Sequence, residues 1–303
     1  MNLYFLNWRL MTIPSNLRGM LLMVFAMGAF IASDSCTKFA MADLPIFQLV
    51  VMRGYAGITL CLILVVTLGQ AHYLQQMFNP WLLARGICEL GANFGFTFAI
   101  LHMPISDVTA IAQTCPLLVL VGAKLIWGEH LGLPRLMLII MGITGAMMVA
   151  QPGATAASPY ALLGFLVAAS AATRDLITRN VPTGIPAAVV ALAVLVVLTI
   201  VGAICLPIFE TPVFPSMRNM GLMILSGALM VGGHMGVFLA FKIGPVRSVA
   251  PFMYSLILWA VLSSVVLFGD IPNALAVAGM ALIIAAGLLV FYFDSRQKLA
   301  TVI

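Results

Sequence analysis

The sequence predicts an all-α membrane protein, with ten transmembrane helices arranged as two inverted five-helix repeats. Three observations carry that prediction. Of 303 residues, 63% are hydrophobic and 8% charged, and the mean hydropathy is +1.16, whereas soluble domains run about half apolar and a quarter charged. Apolar stretches of about 20 residues, enough for a helix to cross about 30 Å of hydrocarbon, can be marked ten times. The second half also repeats the first at a fixed spacing of 141: Asp34, Thr37, Lys38 and Pro45 recur as Asp175, Thr178, Arg179 and Pro186, Gly86 and Gly95 as Gly227 and Gly236, and Gly128-Glu129 as Gly269-Asp270.

The first block supplies spans at 17–37, 44–69, 79–103, 106–127 and 133–151, and the second at 160–181, 185–208, 217–242, 247–268 and 273–293. An odd number of crossings per block turns the second copy upside down relative to the first. The chain then divides into an N-terminal cytoplasmic segment (1–16), a first repeat (17–151), a linker (152–159), a second repeat (160–293) and a cytoplasmic tail (294–303). The first apolar segment is too long for the core of a signal peptide and lacks a small-x-small cleavage site, so it reads as a retained span. Between spans the turns are short and marked by Pro and Gly, as at Asp43-Leu44-Pro45, Asn79-Pro80 and Ile271-Pro272-Asn273, and such turns pack neighbouring helices antiparallel.

The net charge of +5 reports topology. With the N-terminus inside, eleven Lys and Arg residues fall on the cytoplasmic side, against Lys38 and Arg218 outside and Arg53 within a span. That asymmetry places both termini in the cytoplasm. No basic run interleaved with aromatics points to nucleic acid. Cys36, Cys61, Cys88, Cys115 and Cys205 all lie in predicted spans without metal-ligand spacing and read as buried thiols; no cofactor or metal site is expected. Gly91-x-x-x-Gly95 and Gly232-x-x-x-Gly236 allow close helix approach, within the chain or at a homodimer seam.

Polar groups at mid-bilayer are costly unless paired or wetted, so they mark sites by default. Glu89, nine residues after Pro80, and Arg53, nine beyond Leu44, both lie about 13 Å from a membrane boundary. They are expected to pair, either as a structural clamp or as a proton-sensitive switch in coupling or gating. Asp34 and Asp175, near helix ends beside Lys38 and Arg179, are expected to form local ion pairs, with gating as the lesser reading. Asp107 and Ser248 open helices and are expected to cap them.

The repeat spacing brings further residues into correspondence. Asn93 maps onto His234 and Gln113 onto Tyr254, and a pseudo-two-fold axis in the membrane plane would gather all four around one central substrate-binding region, with Thr114 and Ser255 as the adjacent symmetry pair. Phe94, Phe98, Phe238 and Trp259 would add apolar or cation-binding surface. For any one of these residues, interhelical hydrogen bonding worth about 0.6 kcal/mol competes with lining a site.

Two local patterns identify a family resemblance. Pro45 to Gly54 reads P-x-F-x-x-x-V-x-R-G, and Ala99 to Pro104 reads A-x-x-x-x-P, followed by a helix with Pro116, then Gly128-Glu129 and a span carrying Gly142 and Gly145. Both resemble the EamA-type members of the drug/metabolite transporter superfamily, over about Leu17 to Phe293. The resemblance implies a ten-helix carrier of two inverted repeats in a bacterial inner membrane. It also implies small-molecule transport by alternating access, with export of neutral or aromatic amino acids or related metabolites as the first reading and efflux of lipophilic cations as the second. At the repeat positions Pro116 meets Ile257 and Arg53 meets Val194, so the halves are not equivalent. An intramembrane enzyme is disfavoured, because Glu129-His130 is followed by Leu-Gly-Leu-Pro and not by the HExxH pattern of zinc proteases.

Overall fold

A computed structural model describes residues 15–127, 133–150, 159–178, 180–182, 184–243 and 249–300. The described residues contain helices and turns and no strand. The helices run α1 (Ser15–Ala40), α2 (Ile46–Thr67), α3 (Pro80–His102), α4 (Ile105–Ala112), α5 (Cys115–Trp127), α6 (Leu133–Ala150), α7 (Ala161–Thr178), α8 (Ala187–Phe209), α9 (Met217–Ile243), α10 (Ser255–Phe268) and α11 (Ala274–Ala300).

Two of the expected spans are broken. The 106–127 span divides into α4 and α5, because Pro116 in the first turn of α5 has no N–H to give to the preceding turn. Thr114 donates its hydroxyl to the Ile111 carbonyl at 2.7 Å across that break. The 247–268 span begins instead as a 3₁₀ turn, Ala250–Tyr254, ahead of α10, and Ser255 donates to the Phe252 carbonyl at 2.6 Å. The predicted symmetry pair Thr114 and Ser255 therefore does the same local job twice, three residues back each time. The 70–80 connection is also ordered, as a 3₁₀ helix over Ala71–Phe78 whose Tyr73, Leu74 and Met77 pack on the core beneath it.

Among the described residues, five helical stretches are long and apolar enough to cross a membrane: Leu17–Ala40, Ile46–Thr67, Ile105–Ile126, Ala187–Phe209 and Met217–Val237. Three shorter apolar helices cover Leu136–Val149, Phe252–Phe268 and Ala274–Leu289. Helices α3 and α7 fall outside both groups; α3 carries Arg85 and Glu89, and α7 carries Arg174 and Asp175.

Packing runs between the halves. Helix α1 lies along α9, α3 along α7, α2 along α8 and α6 along α11. Small residues set these contacts: a Cβ on Gly227 would come 2.7 Å from the Arg53 carbonyl, and one on Gly279 would come 2.5 Å from the Gly145 carbonyl. Three of the four paired glycines of the sequence are used the same way, while a Cβ on Gly232 would meet nothing within 4 Å. Gly91 and Gly95 face Ser170 and Val167 of α7, and Gly236 faces Ala26 of α1. Asp107 caps nothing: it sits in the first turn of α4 behind Pro104 and accepts a hydrogen bond from Ser106 at 3.1 Å. Its expected counterpart Ser248 lies outside the described residues.

Candidate functional site

Charged side chains from α1, α2, α3 and α7 converge on one internal cavity of about 280 Å³. Three helical stripes build its walls. Helix α3 presents Glu89, Asn93 and Phe96 (i, i+4, i+7), α1 presents Met27, Phe30 and Asp34 (i, i+3, i+7), and α7 presents Val167, Ala171 and Arg174 (i, i+4, i+7). Those spacings place each set on a single helix face. Glu89, Arg174 and His234 also line an adjoining vestibule of about 590 Å³, which extends past Arg85 and Asp175 to Ile185 and Ala187 at the start of α8. The vestibule therefore leads from the cavity towards the end of the bundle where α3 starts and α7 finishes.

The ion pairs differ from the expected ones. Arg53 reaches Asp34 (3.4 Å) and Thr37 (3.4 Å) on α1 and Asn93 (3.0 Å) on α3. Glu89 instead holds Arg174 of α7 at 3.0 Å, and Arg174 also donates to its neighbour Asp175 at 2.8 Å. The expected Arg53–Glu89 pair is thus replaced by two separate pairs. Counting along a helix gives depth but not azimuth, and α7, packed directly on α3, delivers a closer cation. The local pair Asp34–Lys38 is corrected for a related reason: Asp34 turns inward to Arg53, while Lys38 turns outward to Asp270 at 3.5 Å. The expected Asp175–Arg179 pair involves Arg179, which lies outside the described residues.

The remaining predicted residues separate into lining and structural groups. Asn93, Gln113 and His234 line the cavity. Gln113 donates to the Met253 carbonyl at 3.1 Å, joining the two halves. His234 places Nδ1 2.8 Å from the Met230 carbonyl, so that nitrogen carries the proton, and its ring meets Phe30 edge-on at 4.9 Å. Tyr254 is instead buried in the core, 3% exposed, with its ring against Gly287. Thr114 and Ser255 are engaged at the helix breaks.

Phe94 and Phe98 stand away from the cavity, clustered on Phe47 at 5.3 and 6.1 Å. Trp259 donates to the Val24 carbonyl at 3.0 Å and lies in a lateral groove beside Gly28 and Phe25. The Phe238 side chain is outside the described residues. Phe30 and Phe96 are the aromatic side chains that line the cavity among the described residues. They were findable: Phe96 continues the Glu89–Asn93 stripe by three residues, and Phe30 precedes Asp34 by one turn. Arg174 was hidden because it reads equally well as a topology charge at a helix end.

Comparison with known proteins places this geometry in a family. Residues 17–151 match the EamA-like transporter family. Over 274 residues the chain is 29% identical to the pseudopaline exporter CntI of Pseudomonas aeruginosa (strain UCBPP-PA14), covering 88% of this chain and 94% of that protein. Both likenesses support the drug/metabolite transporter superfamily for this chain, with residues 17–151 as its EamA-like part. Other relatives carry different cargo names. A riboflavin transporter of Rhizobium johnstonii is 28% identical over 65% of each chain. An S-adenosylmethionine uptake transporter of Rickettsia conorii is 22% identical over 88% of this chain and 89% of its own. A crystal structure aligns with a TM-score of 0.64 at 19% identity, covering 92% of this chain and 98% of the other; at that identity the likeness is one of fold. The superfamily member described here is therefore an integral membrane transporter of small metabolites.

Proposed function

We propose that this transporter exports small zwitterionic metabolites, amino acids and their derivatives among them, by alternating access. The observation that carries the reading is the charge pattern of the cavity and vestibule. Asp34, Glu89 and Asp175 are matched by Arg53, Arg85 and Arg174, so the space is balanced overall and strongly polar locally. A solute with both an ammonium and a carboxylate can exchange partners with these pairs, its carboxylate taking an arginine and its ammonium the carboxylate released. The anchors of the two pairs on α3, Asn93 and Glu89, are one turn apart, about 6 Å along the axis, a span that a small zwitterion bridges. A volume of about 280 Å³ is at the small end of ligand pockets, which run from about 300 to 1,000 Å³. With Glu89 held by Arg174, a lipophilic cation would lack an available counter-ion. Phe94, Phe98 and Trp259 stand elsewhere and Phe30 and Phe96 are the aromatic surface of the cavity among the described residues, so the reading rests on the zwitterionic head and leaves the side chain open.

In this reading ten spans form two inverted repeats, 17–151 and 160–293, with α4 and α5 as one span and the 3₁₀ turn plus α10 as another. The packing supports it: exchanging each helix for its repeat counterpart turns the α1–α9 contact into α3–α7 and leaves α2–α8 and α6–α11 as self-paired contacts. Both termini are cytoplasmic in a bacterial inner membrane, and the vestibule faces the cytoplasm. Glu89 is the residue through which protons would couple. A homodimer would have to use surfaces other than the Gly91/Gly95 face, which α7 occupies.

Counterflow in proteoliposomes tests the reading, using a panel of labelled zwitterions and a lipophilic cation dye. Saturable zwitterion flux, reduced at least tenfold in Arg174→Gln, is expected. Dye flux without zwitterion flux would sink the proposal.

A further inference from the structure

At the end opposite the vestibule, buried hydroxyls from the two halves meet, with Ser35 and Ser263 also bordering the lateral groove. Ser33 and Thr37 of α1 meet Ser226 of α9 at 2.9 and 3.1 Å, Ser35 meets Ser263 of α10 at 2.7 Å, and the Ser106 N–H donates to Ser264 at 3.0 Å. These hydroxyls are buried, 8% exposed or less. Above them lies one charged contact. Lys38 at the end of α1 binds Asp270 just past α10 at 3.5 Å, donates to the Met103 carbonyl at the end of α3 at 3.3 Å and sits 4.7 Å from the centre of the Phe268 ring.

The chain is shaped to present Asp270 there. Gly269 takes a left-handed conformation (φ 72°) that ends α10, and the Asp270 N–H returns to the Ser264 carbonyl at 2.9 Å. This is the glycine stop of a helix C-terminus, and it fixes the direction of the following carboxylate. The sequence carries the same cation, ring and carboxylate once more at the 141 spacing, as Arg179, Trp127 and Glu129, outside the described side chains; the three types travel together through the duplication. The seam beneath is not duplicated. At the repeat positions of Ser33 and Ser226 stand Arg174 and Arg85, which line the open vestibule, so two small hydroxyls touch where the other end keeps two large cations and an aqueous space.

We propose that Lys38 and Asp270, seated by Phe268 and the Met103 carbonyl, are the latch that holds this end of the pathway shut while the vestibule is open. The proposal rests on the carrier reading, in which this end must open during each cycle. The hydroxyl contacts are weak and exchange readily with water, at about 0.6 kcal/mol each. The ion pair, with side chains 17% and 38% exposed, is the contact that charge substitution can release without disturbing the buried seam.

The test uses the full chain with its cysteines replaced and Ala112→Cys, a cavity-lining position, as reporter. Labelling by a membrane-impermeant maleimide is measured from each face of sealed vesicles. In the parent chain, labelling should proceed from the vestibule face. Asp270→Asn and Lys38→Gln should each raise labelling from the latch face about fivefold, the population change that loss of a partly exposed ion pair brings. The exchanged pair Lys38→Asp/Asp270→Lys should return most of the one-sidedness, and retained labelling from the vestibule face reports that each variant is folded. Labelling of Asp270→Asn equal to the parent, or an exchanged pair that behaves like the single variants, overturns the latch. Counterflow in the same vesicles separates the two ideas: zwitterion flux in the parent with unchanged labelling in the variants defeats the latch alone, whereas a labelling gain in the variants with no zwitterion flux in the parent keeps the latch and defeats the zwitterion assignment.

Discussion

Substituting Asp34→Asn tests whether Arg53 is held from α1, as the structure has it, or from Glu89. Arg53 is 4% exposed and Asp34 23%, and the neutral amide would leave the guanidinium with the oxygens of Thr37 and Asn93 but no opposing charge within the pair. Removing one partner of a fully buried pair costs about 3–5 kcal/mol. Because Asp34 faces the cavity, about 2–3 kcal/mol is the working figure here. Thermal unfolding in detergent, followed by intrinsic fluorescence, should register a fall of about 4–12 °C at about 2–4 °C per kcal/mol. A double-mutant cycle sharpens the test. Asp34→Asn with Arg53→Met should recover much of the loss, giving a coupling near 2 kcal/mol, and Glu89→Gln with Arg174→Met should behave alike. Arg53→Met with Glu89→Gln should be close to additive, within about 0.5 kcal/mol. An Asp34→Asn variant within 1 °C of the parent (roughly the resolution of the method), or a larger coupling for Arg53 with Glu89 than with Asp34, would refute the assignment of partners.

Other outcomes follow from the same geometry. Glu210 accepts both the Ile46 and Phe47 N–H groups at 2.9 Å, capping α2 from the chain after α8, so Glu210→Ala should cost about 1–2 kcal/mol of stability without changing substrate KM. Gly287 lies against the Tyr254 ring with no room for a Cβ; Gly287→Ala should lower stability by about 1–3 kcal/mol, measured by the same melts. Phe96→Ala should raise KM about fivefold, since Phe96 lines the cavity, whereas Phe94→Leu should leave KM within about twofold, a contact difference near 1 kcal/mol. Gly269→Ala should destabilise by about 1–2 kcal/mol through its left-handed backbone and raise reporter labelling from the latch face, because Asp270 would lose its fixed direction.

Much of the fold was legible because membrane helices declare themselves by length and apolarity, and because the 141 spacing survived in turn residues such as Pro45 and Pro186. The two broken spans were not legible from hydropathy, because Gln113–Thr114 and Tyr254–Ser255 are polar stretches too short to interrupt apolar spans of about 20 residues. Pro116 was the available signal for the first break. That Glu89 and Asn93 share one face of α3 followed from their spacing of four residues. Their partners did not, since a pairing depends on which neighbouring helix presents a side chain at that level, and sequence spacing within one helix holds no such information. The aromatic residues failed for the same reason: Phe94 and Phe98 share a helix with Asn93 but not its face, while Phe96 shares both. Asn93, Gln113 and His234 of the expected symmetry pairs line the cavity, whereas Tyr254 departs from its counterpart Gln113, because Gly287 makes a slot for the tyrosine ring in the core.

The account stands on a solute occupying the cavity between the Arg53–Asp34 and Arg174–Glu89 pairs, and substrate protection measures that occupancy. Single cysteines at Ala171, on the α7 wall of the cavity, and at Phe94, outside it, would be labelled with a small thiol reagent while the best-carried zwitterion of the counterflow panel is titrated. The account predicts that labelling at Ala171→Cys slows in proportion to saturation while Phe94→Cys labels at a constant rate. Equal rates at Ala171→Cys with and without saturating solute would contradict it.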